Sequence, residues 1–151
     1  MRVDLVCVGR LGSAPEASLA RDWAQRATAA GRPLGVSPVS IIEVDARRGS
    51  EAQALSERLD HDLVVACDEH GDLLASRTLA LRIGAWRDDG LRSLAFVIGG
   101  ADGLGPVILQ RAGSTIAFGP QTWPHALARA MLAEQVYRAM TILAGAPYHR
   151  D

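Results

Sequence analysis

Residues Leu94–Pro106 read LAFVIGGADGLGP, an unbroken apolar run that stops dead at a glycine-rich turn and resumes at a proline. A strand exposed on one face alternates apolar and polar residues, whereas a strand covered on both faces reads as a continuous apolar run. LAFVI has the second pattern. The glycines after it either turn the chain tightly or let backbone approach a ligand, and Pro106 suits the first turn of a helix. Strand, turn and helix in that order form the repeating unit of an α/β sheet.

The same unit recurs on either side. Short apolar, β-branched runs lie around Val3–Val8, Val36–Val44, Leu63–Ala66 and Thr115–Phe118, each followed by a helix-like stretch, so the chain reads βαβαβαβαβα. That alternation predicts a single α/β domain with a mostly parallel sheet and helices on both faces. Ser13 and Glu16 stand at capping-box spacing around Pro15, and Gly31 suits a helix end, which predicts a first helix between them. The longest helix begins near Pro124 and ends at Gly145 and Pro147, with Glu134 and Arg138 at a supportive i,i+4 spacing.

With 151 residues, 48% hydrophobic and 22% charged, the chain suits one globular domain. No apolar run approaches the ~20 residues that span a bilayer, and the N-terminus lacks a secretory h-region, so a cytoplasmic protein is expected. Cys7 and Cys67 sit in apolar strand runs and read as small buried hydrophobes. The net charge of −1 does not mark a general nucleic-acid binder. Every basic residue is arginine, and from Gly103 onward four of them (Arg111, Arg129, Arg138, Arg150) face two acids (Glu134, Asp151), so a locally basic C-terminal third is expected.

Ligands of open α/β sheets bind at the carboxyl ends of the strands. Three segments qualify: CDEHGD after the third strand, GGADGLGP after the fourth and GPQTWPH after the fifth. The glycine segment fails the G-x-G-x-x-G template and lacks the GK[ST] of a P-loop, leaving a nucleoside-like ligand held by backbone, or a simple turn. The four histidines and two cysteines show no zinc-ligand spacing, and there is no nucleophile elbow. His61 and His70 read as surface loop residues. Trp23, Trp86, Met131 and Met140 read as helix packing, but Trp123 lies at the ligand edge and His125 in the first turn after it.

Three segments taken together, FVIGGADGLGP, TWPHALARAMLAEQVYRAMTI and the terminal PYHRD, resemble the ribosomal RNA large subunit methyltransferase H family, small SPOUT enzymes that methylate N3 of a pseudouridine in 23S rRNA. The resemblance runs the full length, through ARRGSEAQALSERL and VVACDEHGDLLASRTLA. It implies a C-terminal trefoil knot, S-adenosyl-L-methionine as methyl donor, a homodimer, and the ribosome's 23S rRNA as partner, with no metal and no membrane. By position it places donor contacts on Cys67, Gly99, Phe118, Gly119, Pro120, Gln121, Thr122 and Trp123, largely through backbone. The chain departs from the family where Gly119, Pro120 and Trp123 stand, and ARRGSE replaces a lysine-rich stretch, which leaves Arg47 and Arg48 to meet RNA there.

Methyl transfer is an in-line displacement that needs positioning above all, together with departure of the proton on N3. Tyr148, His149 and Arg150 are expected to fold over a donor site and meet the RNA, with tyrosine for stacking on a base and arginine for phosphate, and the resemblance implies that the tail completes the partner subunit's site. His125 and Arg129, one helical turn apart, would line the same pocket. Two alternatives stay open: a SPOUT methyltransferase for another rRNA or tRNA site, and a non-catalytic ribosome-binding module of the same fold.

Overall fold

A computed structural model of the chain describes residues 1–47 and 49–150. Five strands, β1 (Arg2–Val8), β2 (Val39–Val44), β3 (Leu63–Leu73), β4 (Ser93–Ile98) and β5 (Ser114–Ala117), alternate with five helices. These are α1 (Pro15–Gly31), α2 (Glu51–Ser56), α3 (Ser76–Asp88), α4 (Pro106–Arg111) and α5 (His125–Leu143). All strand pairs are parallel, in the order β2-β1-β4-β3-β5.

The continuous apolar runs are explained by two cores. In β1, Val3, Leu5 and Cys7 face one core and Val6 and Val8 the other; in β4, Leu94, Phe96 and Ile98 oppose Ala95 and Val97 in the same way. The larger core is closed by α1, α3 and α5 through residues such as Ala24, Ile83 and Val136, the smaller by Leu55 and Leu59 around α2 and by Ile108 of α4. Successive side chains point to opposite faces of a strand, so both faces must be apolar when both are covered. Small residues at Ala20, Ala24 and Ala27 let α1 lie close against α5.

Three local readings are corrected. The first helix has Ala14 at its N-cap with no side-chain cap, so Ser13 and Glu16 form no capping box; Pro15 alone starts the helix. Gly31 is the last residue of α1 and not a left-handed cap: a Cβ there would stand 2.1 Å from the Val36 carbonyl oxygen, and the left-handed turn falls on Gly35 (φ 74°). The third strand does not stop at Ala66. Cys67 and Asp72 both pair with Ile116, so residues 68–71 bulge out of a strand that continues to Leu73. Gly71 permits the return, because a Cβ on it would lie 2.5–2.8 Å from the Ile116 backbone.

The C-terminal third is not a basic face. Arg111 donates to the Leu59 carbonyl, Arg129 is buried, and Arg138 pairs with Glu134 at 2.5 Å. His61 is not a surface residue either: its side chain is 2% exposed and its Nε2 lies 2.8 Å from Asp4 Oδ2. No helix among the described residues is long and apolar enough to cross a membrane.

Candidate functional site

At the carboxyl ends of β3, β4 and β5 the three loops singled out from the sequence meet in one cleft of about 510 Å³. Each reaches it for a local reason. The β3 bulge carries Asp68, Glu69 and His70 outward; Asp68 Oδ1 accepts from the His70 backbone N–H at 3.0 Å, tying the bulge to itself. After β4, Gly99 and Gly100 start a turn that closes through a Gly100–Gly103 bridge, and a Cβ on Gly99 would sit 2.5 Å from the Gly103 carbonyl oxygen. Glu51, in the first turn of α2, accepts from the Gly100 N–H at 2.8 Å and holds that turn in place.

The third wall is the segment from Phe118 to His125. Gly119 has φ 110°, which a residue with a side chain rarely adopts, and it reverses the chain out of β5. The Trp123 indole N–H donates to the Phe118 carbonyl at 3.3 Å and closes the loop. Cys67, Gly99, Phe118, Gly119, Gln121, Thr122, Trp123 and His125 all border the cleft; Pro120 is not among the described lining residues.

The cleft's own titratable groups are Asp68, Glu69, Asp102, His70 and His125, so carboxylates outnumber histidines at its mouth. Burial, followed by the nearby Cys7 thiol, raises the pKa of Cys67 well above the ordinary value, which disfavours a nucleophilic thiolate. Burial likewise pushes Cys7 up to about 12, against the opposing pull of Arg129. Glycine backbone, a buried thiol and a fixed indole suit positioning of a ligand and not covalent catalysis.

Arg129 does not share the cleft with His125. Its guanidinium turns inward, donating to Glu43 Oε1 at 2.7 Å and to the carbonyls of Val8 and Gly9 at 3.1 and 3.0 Å. Residues one turn apart share a helix face, but a long side chain reaches the partner that satisfies its charge, and Glu43 comes from β2. Glu43 Oε1 also accepts from the Leu11 N–H at 3.1 Å. Arg129 is thus a positioning residue that ties the start of α5 to the loop after β1.

In the single chain Tyr148 and His149 pack on α1 and α5. Tyr148 lies edge-on to Tyr137 (4.9 Å between centroids) and 6.1 Å from Trp23, and its hydroxyl donates to Glu134 Oε1 at 2.9 Å. The Arg138 guanidinium sits 4.8 Å from the Tyr148 ring centroid and 3.3 Å from His149 Nδ1. Arg150 is exposed. None of the three is among the described residues lining the cleft of this chain. Of the residues offered for RNA after β2, Arg47 is paired with Asp45 at 2.5 Å, and Arg48 lies outside the described residues.

A second hollow, an apolar groove of about 690 Å³, runs between α1 and α5 past Leu19, Leu73, Leu127 and Met131. Phe118 and Gly119 wall both the groove and the cleft. Sequence reasoning passes over Glu43 and Glu51, and it takes the CDEHGD segment as a loop leaving the third strand and not as a bulge within it. Only the bulge leaves a local trace, a polar run at the carboxyl end of an apolar strand; the two glutamates act through residues 86 and 49 positions away.

Comparison with known proteins places this geometry. The family described as "Predicted SPOUT methyltransferase" matches residues 1–149. The chain is 61% identical over 154 aligned residues to the ribosomal RNA large subunit methyltransferase H of Caulobacter sp. (strain K31), and 55% identical to the protein of that name from Phenylobacterium zucineum (strain HLK1); each alignment covers 100% of both chains. Among solved structures, a probable methylase family protein from Haemophilus influenzae Rd KW20 superposes with a TM-score of 0.54 at 13% identity, covering 99% of this chain and 70% of that one. A probable methyltransferase from Bordetella pertussis Tohama I gives 0.52 at 15%, covering 92% and 96%. At such identities these structures speak to the fold alone.

Proposed function

The chain belongs to the ribosomal RNA large subunit methyltransferase H family of SPOUT methyltransferases, and from that premise we propose that it methylates N3 of a pseudouridine in 23S rRNA on assembled ribosomes, with S-adenosyl-L-methionine as donor. The observation that carries this reading is the convergence of Cys67, the Gly99 turn and the Phe118–Trp123 loop on one cleft.

The residues present fit the donor. The Gly99–Gly103 turn, folded so tightly that a Cβ on Gly99 would meet the Gly103 carbonyl, borders the cleft, whose volume lies in the range of small-molecule sites. Asp68, Glu69 and Asp102 at the mouth complement a ligand carrying an ammonium and a sulfonium. When bound, S-adenosylmethionine supplies an electrophilic methyl group. The protein's part is to hold that ligand by the backbone of the three loops, with Glu51 and the Trp123–Phe118 bond keeping them in register. His125, exposed in the first turn of α5 on the cleft wall, is placed to take the proton leaving N3.

The reading includes a homodimer and a trefoil knot. The dimer is supported by the apolar groove between α1 and α5, where Leu73 is 67% exposed and Leu19 48%. A second copy seated there stands one layer from the cleft, since Phe118 and Gly119 wall both, and this gives Tyr148, His149 and Arg150 a route to the partner's donor. The knot is supported by β5 lying outside β3 at the sheet edge while α5 returns to pack on α1 and α3.

The test is methylation of ribosomes lacking the modification, read by mass spectrometry of 23S rRNA fragments. A single added methyl on the pseudouridine-bearing fragment is expected. Methylation confined to another rRNA site or to tRNA would support the sister SPOUT activity, and donor binding without transfer the non-catalytic reading.

A further inference from the structure

We infer that the ring of Trp123 is the surface on which the acceptor nucleobase stacks as it enters the cleft, an inference that rests on the methyl-transfer reading above. The chain has seven aromatic side chains. Trp23, Tyr137 and Tyr148 stack on one another, Phe96 is fully buried, and Trp86 and Phe118 pack against the larger core. Trp123 alone is left at the surface, 41% exposed on the cleft wall.

Its orientation is held in advance. The indole N–H, its one polar atom, is committed to the Phe118 carbonyl, and Thr122 and Pro124 flank it in a loop that ends at once in α5. What remains to a ligand is an apolar π-face with little rotational freedom left to lose. Such a face binds a planar base without regard to its hydrogen-bonding edge and leaves that edge, N3 included, free to react.

Charge decides which part of the nucleotide meets the cleft. Asp68, Glu69 and Asp102 share the wall with Trp123, and the whole chain carries a net charge of −1. Phosphates are repelled there, so the uncharged base must make the contact. The donor draws on the backbone of the same loop, which the indole bond to Phe118 closes, so W123F and W123L share the loss of that bond and differ in the ring.

The experiment compares W123F and W123L with the wild type in methylation of unmodified ribosomes, with S-adenosylmethionine affinity measured by calorimetry and folding by thermal melting. Loss of the stacking face should leave W123L roughly ten-fold or more below W123F in kcat/KM for ribosomes, mostly through KM, with the donor affinities of the two variants within about two-fold of each other. W123F, which keeps a ring, should recover most of the loss. If W123L does not fold, W123Q provides the same comparison. W123L or W123Q indistinguishable from W123F toward ribosomes, or a donor affinity that falls from W123F to these variants as far as the acceptor term, overturns the inference while leaving the function intact. A wild type that methylates no ribosomal RNA overturns both.

Discussion

Arg129 and Glu43, 86 residues apart in sequence, meet at 2.7 Å, and the arginine is 1% exposed. The pair joins the start of α5, whose first turn borders the cleft, to β2 and, through Leu11, to the loop after β1. A guanidinium making three charge-assisted hydrogen bonds in the interior is strongly held in one place, and removing either partner strands the other.

Arg129→Met should therefore destabilise the protein by about 3 kcal/mol, seen as a lower urea midpoint with an unchanged slope. Glu43→Gln, at a more exposed carboxylate, should lose less, and the double variant should be less destabilised than the sum of the singles. Arg129→Lys should keep the fold but loosen α5, raising KM for the donor more than it lowers kcat. An Arg129→Met variant of full stability that has lost only kcat would return this residue to the chemistry.

Gly99→Ala forces a methyl group to within 2.5 Å of the Gly103 carbonyl oxygen. Overpacking of this kind costs about 1–3 kcal/mol, and here the turn that carries the donor-facing backbone must shift to relieve it. Donor affinity by calorimetry should fall at least ten-fold with a much smaller loss in melting temperature. Gly105→Ala, where a Cβ would meet nothing within 4 Å, is the matched comparison and should bind the donor far better than Gly99→Ala.

Deleting residues 147–151 removes Tyr148 from Trp23 and Tyr137. Aromatic pairs contribute about 0.5–1.5 kcal/mol each, so the truncated chain should remain folded, with its Trp23 emission shifted to the red. Methylation should be lost. Retained turnover would remove the tail from the active site.

Tyr148 titrates above the ordinary phenol value, chiefly through burial and then through its bond to the Glu134 carboxylate. The folded state thus holds this proton more tightly than the unfolded one. The contribution of Tyr148 ionisation to tail docking is constant below the unfolded value of about 10 and is lost as pH rises through the higher folded value. Difference absorbance of tyrosinate in wild type against Tyr148→Phe checks the sign; a Tyr148 ionising below pH 10 would contradict it.

The sheet could be read from the chain because an apolar run such as Leu94–Ile98 reports burial on both faces locally, and the glycine turn beside it reports the ligand edge. The meeting of the three loops in one cleft followed, since the ends of parallel strands fall together. Arg129, His61 and the tail were not legible in the same way. Each is placed by a partner far along the chain: Glu43 for Arg129, Asp4 for His61, and Trp23 for Tyr148. Helical spacing identifies which residues share a face but not where a long charged side chain ends. The bulge at residues 68–71 was hidden because a polar run reads as the end of a strand, while pairing resumes at Asp72.

The central claim is that three loops hold one methyl donor. Its most direct measurement is a titration of the isotopically labelled protein with S-adenosylmethionine, followed through backbone amide resonances. The account predicts shifts concentrated at residues 67–71, 99–105 and 118–125. Shifts centred instead on the groove between α1 and α5, or none at millimolar donor, would contradict it.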